Sequence, residues 1–227
     1  MAQSNSSSLL ETSDFDSLYE ELKAYDEQRE LVIKRSRDIG KLSKQAIFSL
    51  HRGALDEAAS RLEGAQKAAS ELLPIIRSNP TLRQGSFSAA IEEYAEACAF
   101  REYLASGRLL SSREIDLAET EEYLGGVLDF TGELNRYAVA RATVRDKEAV
   151  QRCRDLVEAI MGQFLRFDLR NGSLRKKFDS IKYTLKKMEQ LLYELSLAEA
   201  GLTKKPEEVL EKNAAGTTDD ARGDEEA

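Results

Sequence analysis

Four acidic residues fall in stretches otherwise rich in small and apolar side chains. Glu93 and Glu96 lie in Ile91-Glu-Glu-Tyr-Ala-Glu-Ala-Cys-Ala-Phe100, and Asp129 and Glu133 lie in Tyr123-Leu-Gly-Gly-Val-Leu-Asp-Phe-Thr-Gly-Glu-Leu134. The spacings are i,i+3 and i,i+4, so on a helix each pair shares one face, with Cβ atoms roughly 5–6 Å apart. Buried carboxylates persist only when paired or bound to a cation. Two such pairs facing one another would offer an all-oxygen site for a hard divalent ion, Mg²⁺ or Mn²⁺. Such an ion can orient a water, lower its pKa and stabilise charge on a phosphoryl oxygen, which makes phosphodiester hydrolysis a natural reaction for this inventory. The competing reading is a set of solvated or ion-paired helix charges, with Arg136, at i+3 from Glu133, as a partner.

Other chemistries find little support. The one histidine, His51, sits at a predicted helix end, where the helix dipole favours it, and there is no Cys/His cluster for zinc, copper or haem. Ferritin-like di-iron chemistry lacks its Glu-x-x-His motif. No phosphate-binding glycine loop and no convincing Ser or Cys triad is present. A second set of residues could follow a phosphate backbone: Arg37, Lys41 and Lys44 on one face of the first helix, and Arg170, Arg175, Lys176 and Lys177 around the last turn. Tyr and Phe are not interleaved with them as base-stacking platforms.

The elements that must position these groups are helices. The 227 residues include 33% charged and 41% apolar side chains, no Trp and three Pro. That balance, rich in Ala, Leu, Glu, Lys and Arg, reads as all-α, a single-domain bundle of about six or seven helices. Helices are expected over about 13–51, 55–78 (bent at Pro74), 86–110, 120–141, 146–167 and from 173 onward. Thr120 and Ser173 are the expected N-caps. The last helix carries Leu174, Phe178, Ile181, Leu185, Met188, Leu192 and Leu195, a 4-3 seam that must pack against another helix. Gly125, Gly126 and Gly132 line the fourth helix at about 1 kcal/mol each relative to Ala, so close approach by a neighbour or ligand is expected there.

Residues 1–12 are Ser-rich and expected to be disordered, the folded domain spans 13–201, and 202–227 form an acidic tail. Residues 203–227 hold eight acids against four bases and so carry half of the net charge of −8. The body is thus only mildly acidic, which leaves room for local basic faces. No run of 18 apolar residues suggests a membrane span, and no signal-peptide layout opens the chain. Cys98 and Cys153, far apart and mid-helix, read as packed reduced thiols of an intracellular protein.

Four separated segments resemble the translin family. Lys34-Arg-Ser-Arg-Asp-Ile-Gly-Lys-Leu-Ser-Lys-Gln-Ala-Ile-Phe-Ser-Leu-His-Arg52 is similar to the first helix of its translin-associated factor X (TRAX) branch. Glu93-Tyr-Ala-Glu-Ala and Glu122-Tyr-Leu-Gly-Gly-Val-Leu-Asp-Phe-Thr-Gly-Glu-Leu134 resemble that branch's two acidic-helix motifs. Asn171-Gly-Ser-Leu-Arg-Lys-Lys-Phe-Asp-Ser-Ile-Lys-Tyr183, continuing to Tyr193-Glu-Leu-Ser196, resembles the last helix of the translin branch. The likeness covers roughly residues 14–200.

The resemblance implies a seven-helix fold and a closed, hollow hetero-octamer with translin subunits. It implies a Mg²⁺-dependent endoribonuclease that cleaves single-stranded RNA and is active only in the oligomer. In the TRAX branch the acids matching Glu93, Glu96, Asp129 and Glu133 carry the catalysis; the translin branch lacks the full set and mainly binds single-stranded RNA or DNA. Removal of passenger-strand fragments in RNA silencing and trimming of pre-tRNA fragments are the implied roles, in the cytoplasm. The N-terminus lacks the branch's basic nuclear-targeting extension, which leaves nuclear residence open, and the connection around 111–120 is short. A non-catalytic, nucleic-acid-binding or scaffold subunit of the translin type is the alternative, with a helical adaptor acting through the 174–195 seam as a third reading.

Overall fold

The computed structural model describes residues 10–202, and the expectations for the Ser-rich start and the acidic tail lie almost wholly outside them. Six α-helices follow in chain order: α1 (Thr12–His51), α2 (Leu55–Ser78), α3 (Ser86–Ser106), α4 (Thr120–Thr143), α5 (Lys147–Phe164) and α6 (Ser173–Glu199), with short 3-10 turns at Pro80–Arg83 and Ser112–Glu114. Among the described residues there is no strand, and no helix is long and apolar enough to cross a membrane.

Helix boundaries have local causes. Gly53 and Gly107 take φ of 73° and 76°, a region open to glycine at little steric cost, and there α1 and α3 stop. For α3 this places the end at Ser106 rather than the expected Leu110. Helix α5 starts where Asp146 caps it, its side chain accepting from the Ala149 N–H at 3.0 Å, and ends at Phe164 rather than Phe167. Helix α2 runs through Pro74 and ends before Asn79-Pro80. Thr120 and Ser173 are the first helical residues rather than caps: the carbonyls of Glu119 and Gly172 accept the opening bonds, from Tyr123 and Lys176. At α4 the Glu122 carboxylate takes the Glu119 N–H at 2.8 Å, and Thr120 is not needed as a cap.

The chain divides into two compact units. The first holds the residues up to Leu134 together with Phe167–Ile181. Its core is built from Val32, Ile39, Ala46 and Leu50 of α1, Leu62, Ala65, Ala69 and Leu72 of α2, Phe87, Ile91, Ala95 and Phe100 of α3, and Val127, Leu128, Phe130 and Leu134 of α4. The start of α4 is anchored by a buried pair: the Arg83 Nε donates to Glu122 Oε1 at 3.0 Å, and Arg83 Nη2 donates to the Leu117 carbonyl at 2.9 Å. The Tyr123 hydroxyl donates to the Leu110 carbonyl at 2.7 Å and ties the connection between α3 and α4 to the same place.

The second unit holds Asn135–Arg166 and the described residues from Lys182 on; Ala149, Val150, Cys153, Val157 and Ile160 of α5 form its buried stripe, with Met188 and Leu195 of α6. Ile181, Met188 and Leu195 of the expected seam are buried, and Leu174, Phe178, Leu185 and Leu192 half-buried. Cys98 and Cys153 are buried and are not joined in a disulfide. On the first half of α1, by contrast, Phe15, Leu18, Tyr19 and Leu22 form an i,i+3,i+4,i+7 stripe that stands exposed.

Candidate functional site

Helix α3 places Glu96 in protein because every residue from Tyr94 to Phe100 is buried, with Glu93 half-buried beside them. Helix α4 approaches it closely over Gly125 and Gly126. A Cβ on Gly126 would fall 2.7 Å from the Glu92 carbonyl oxygen, 2.8 Å from Ala95 Cβ and 2.9 Å from the Glu96 nitrogen. A Cβ on Gly125 would meet the Glu92 side chain. Gly132 departs from the expectation: nothing lies within 4 Å of its would-be Cβ, and it faces outward. Beneath the acids an aromatic layer fixes the three helices. The His51 ring lies 4.6 Å from Phe100, tilted by 39°, and Phe130 of α4 lies 6.5 Å from Phe100 and 6.0 Å from Tyr103.

Asp129, Glu93 and Glu133 lie near enough to Glu96 to act on it electrostatically, and Glu96 itself is 8% exposed. Burial pushes its carboxyl up to about 9, and Asp129, Glu93 and Glu133, in that order, add to the rise while Lys44 opposes it. Burial, then Glu93, raises Asp129 to about 6. Among the described residues, no basic side chain pairs with buried Glu96. The other three acids meet cationic or polar side chains: Lys44 Nζ stands 3.0 Å from Glu93 Oε1, His51 Nε2 is hydrogen-bonded to Glu133 Oε2, and Lys177 Nζ contacts Asp129 Oδ2. Among the described residues no three His, Cys, Asp or Glu side chains already stand as a metal-ligating group.

Three residues of this neighbourhood have contacts that sequence reasoning did not place. His51 closes α1 as expected, and it also shares the α1 face of Lys44, seven residues earlier, with only 8% of its side chain exposed. Glu92, four residues before Glu96, has a carboxylate that contacts Lys177 Nζ. Phe48, at i+4 from Lys44, lies 53% exposed and lines a shallow groove with Arg37, Gly40, Lys41, Lys44 and Gln45. An aromatic face is thus interleaved with the basic residues of α1 after all, and Arg52 stacks on it at 5.4 Å.

The basic candidates divide. Arg37, Lys41 and Lys44 are exposed, and Lys44 links their groove to Glu93. Arg170, Arg175 and Lys176 are exposed, with Arg175 paired to Asp179 at 3.1 Å. Lys177 does not join an outward phosphate track: 26% of its side chain is exposed, and its ammonium turns onto Glu92 and Asp129.

A testable consequence concerns pH. Glu96 and Asp129 hold protons in the folded chain that the unfolded chain releases near pH 4–5, so metal-free stability declines as pH rises from there through about 6 for Asp129 and about 9 for Glu96. Thermal melts in EDTA should show Tm falling by roughly 5–10 °C between pH 5 and pH 9. Glu96→Gln should flatten that slope; an equal slope in the variant would show that Glu96 titrates normally.

A family model described as the translin family matches residues 27–199. The translin-associated protein X homolog of Schizosaccharomyces pombe is 28% identical over 198 residues, covering 77% of this chain and 83% of that protein. The mouse translin-associated protein X is 26% identical over 226 residues, covering 81% and 77%. Chicken translin is 38% identical over 79 residues, and that match spans only 35% of this chain and 34% of the chicken protein. Among solved structures, apo-NeC3PO superposes with a TM-score of 0.74 at 25% identity, covering 83% of this chain and 99% of that one. AfC3PO in its duplex RNA complex superposes with a TM-score of 0.69 at 23% identity, covering 82% and 97%.

Proposed function

Because the chain belongs to the translin family, we propose that it is the catalytic, TRAX-type subunit of an assembly with translin, a Mg²⁺-dependent endoribonuclease cleaving single-stranded RNA. The observation that carries this reading is buried Glu96 on α3, against whose backbone Gly126 of α4 packs and whose ionisation Asp129, Glu93 and Glu133 oppose. Two translin-associated X proteins matching most of the chain, against a translin match over a third of it, support the choice of branch.

The donor set suits a hard divalent cation. All four groups are carboxylates, and Glu96 is buried with three like charges opposing its ionisation, a cluster that a cation would relieve. Glu93, Glu96, Asp129 and Glu133 would hold Mg²⁺, or Mn²⁺ in its place. When bound, the ion supplies Lewis acidity at a phosphoryl oxygen and lowers the pKa of a water. The protein's own groups do the rest. His51 orients Glu133 through their hydrogen bond. Arg37, Lys41 and Lys44 hold the strand's phosphates along α1, and Phe48 offers a face on which a base can stack. The exposed Phe15, Leu18, Tyr19 and Leu22 stripe is the kind of surface another subunit covers, which accords with an oligomer.

Labelled single-stranded RNA incubated with the chain and a translin subunit should be cut in Mg²⁺ and spared in EDTA. RNA that is bound but never cut would move the protein to the non-catalytic binding role. For the groove, Arg37→Ala and Lys41→Ala should each weaken RNA binding and lower the slope of log K against log salt by about one. Unchanged slopes in filter-binding titrations would remove α1 from the RNA path.

A further inference from the structure

We infer that Lys177 is a built-in counter-ion of the acid cluster, which must leave Asp129 before a divalent cation can bind, and that Glu92 retains its ammonium when it leaves. The inference rests on the metal-site reading above and concerns how that site is regulated.

The geometry supplies each part. Lys177 Nζ contacts Asp129 Oδ2 and Glu92 Oε1 together, so one ammonium bridges an acid of the cluster on α4 and an acid outside it on α3. Its neighbours Arg175 and Lys176 are exposed, whereas Lys177 is turned inward and three-quarters covered. Glu92 is held in place for this contact. It occupies the gap left by Gly125, where a Cβ would lie 2.5 Å from the Glu92 Cδ. The small residue therefore makes room for the carboxylate that faces Lys177.

An ammonium seated on Asp129 and a divalent ion ligated by Asp129 repel each other at close range in a part-buried site, so the two states exclude one another. A lysine can make the exchange without backbone movement, because its four-carbon stem is flexible and its ammonium donates in three rotatable directions. With Glu92 still bound, the charge swings a short way and stays paired. The resting cluster is thereby partly neutralised without metal, and metal affinity is lowered by the fraction of molecules in which Asp129 is vacant. Where that fraction is about one in ten, removing the lysine tightens binding about tenfold.

Lys44 provides the contrast. Its Nζ stands 3.0 Å from Glu93, but 67% of its side chain is exposed, so solvent competes for it and it should be readily displaced.

The test is Mn²⁺ titration of the full chain, followed by the electron paramagnetic resonance of free Mn²⁺. Lys177→Met should bind Mn²⁺ about tenfold more tightly than wild type, Lys44→Met within about twofold, and Glu92→Gln, which leaves the ammonium only Asp129, several-fold more weakly. If the single variant folds poorly, the Glu92→Gln, Lys177→Met pair removes both charges together and carries the same expectation of tighter binding. Equal or weaker binding by the Lys177 variants, with binding still abolished by Asp129→Asn, overturns the counter-ion role and leaves the metal site standing. No Mn²⁺ binding by wild type or any variant overturns the metal site and the counter-ion role with it.

Discussion

Glu96→Gln is expected to reduce RNA cleavage by more than about a hundredfold while leaving the fold and RNA binding intact. In metalloproteins, loss of a group that merely orients a ligand typically costs 10–100-fold in affinity or activity. Glu96 is placed as a ligand itself, at the centre of the acid cluster, so its loss should exceed that range. Stability should move the other way. In the metal-free chain Glu96 is protonated at neutral pH, because burial and three neighbouring carboxylates hold its carboxyl up to about 9. Glutamine of the same size then removes only a latent charge. Tm in EDTA should match wild type near pH 5, exceed it at pH 7 and exceed it further at pH 9, when single-turnover cleavage and thermal melts are measured on one preparation. A large stability loss accompanying the loss of cutting would instead make Glu96 a structural residue.

The second large effect is expected at Gly126. Alanine there gains about 1 kcal/mol in helix propensity, but its Cβ would stand 2.7–2.9 Å from backbone and Cβ atoms of α3. These atoms cannot rotate away, so α3 and α4 must separate. Overpacking of this kind costs about 1–3 kcal/mol before the propensity gain is counted. The separation also carries Glu96 away from Asp129. Because a displacement of about 1 Å can cost on the order of a hundredfold in rate, cleavage should fall far more than stability. Gly132→Ala, on the same helix with nothing within 4 Å, should raise stability by about 0.5–1 kcal/mol and leave cleavage unchanged. Chemical denaturation of the two variants side by side checks the contrast; equal effects would mean that α3 and α4 do not touch as described.

Much of the architecture was legible in the chain because helical periodicity reports which face of a helix is covered. The seam from Leu174 to Leu195 and the two acid pairs follow from that alone. What periodicity cannot report is the rotation and sliding of one helix against another. Lys177 belongs to the run Arg175-Lys176-Lys177, and each residue turns about 100° further around the helix. Only packing decides which of the three faces α3 and α4, and it is the third. His51 and Phe48 were hidden for the same reason: their α1 phase was readable, but not that α1 ends beside Glu133. The glycines show the converse. Gly125, Gly126 and Gly132 look alike in sequence, and only two of them meet α3.

The central claim is that the α3 and α4 carboxylates form a divalent-metal centre, and its most direct test is anomalous scattering from crystals soaked in Mn²⁺. The account predicts a peak bonded to oxygens of Glu96 and Asp129 at about 2.0–2.2 Å, with the Lys177 ammonium moved off Asp129 and still held by Glu92. A map with no peak there, and with Lys177 still seated on Asp129 at saturating Mn²⁺, would contradict it.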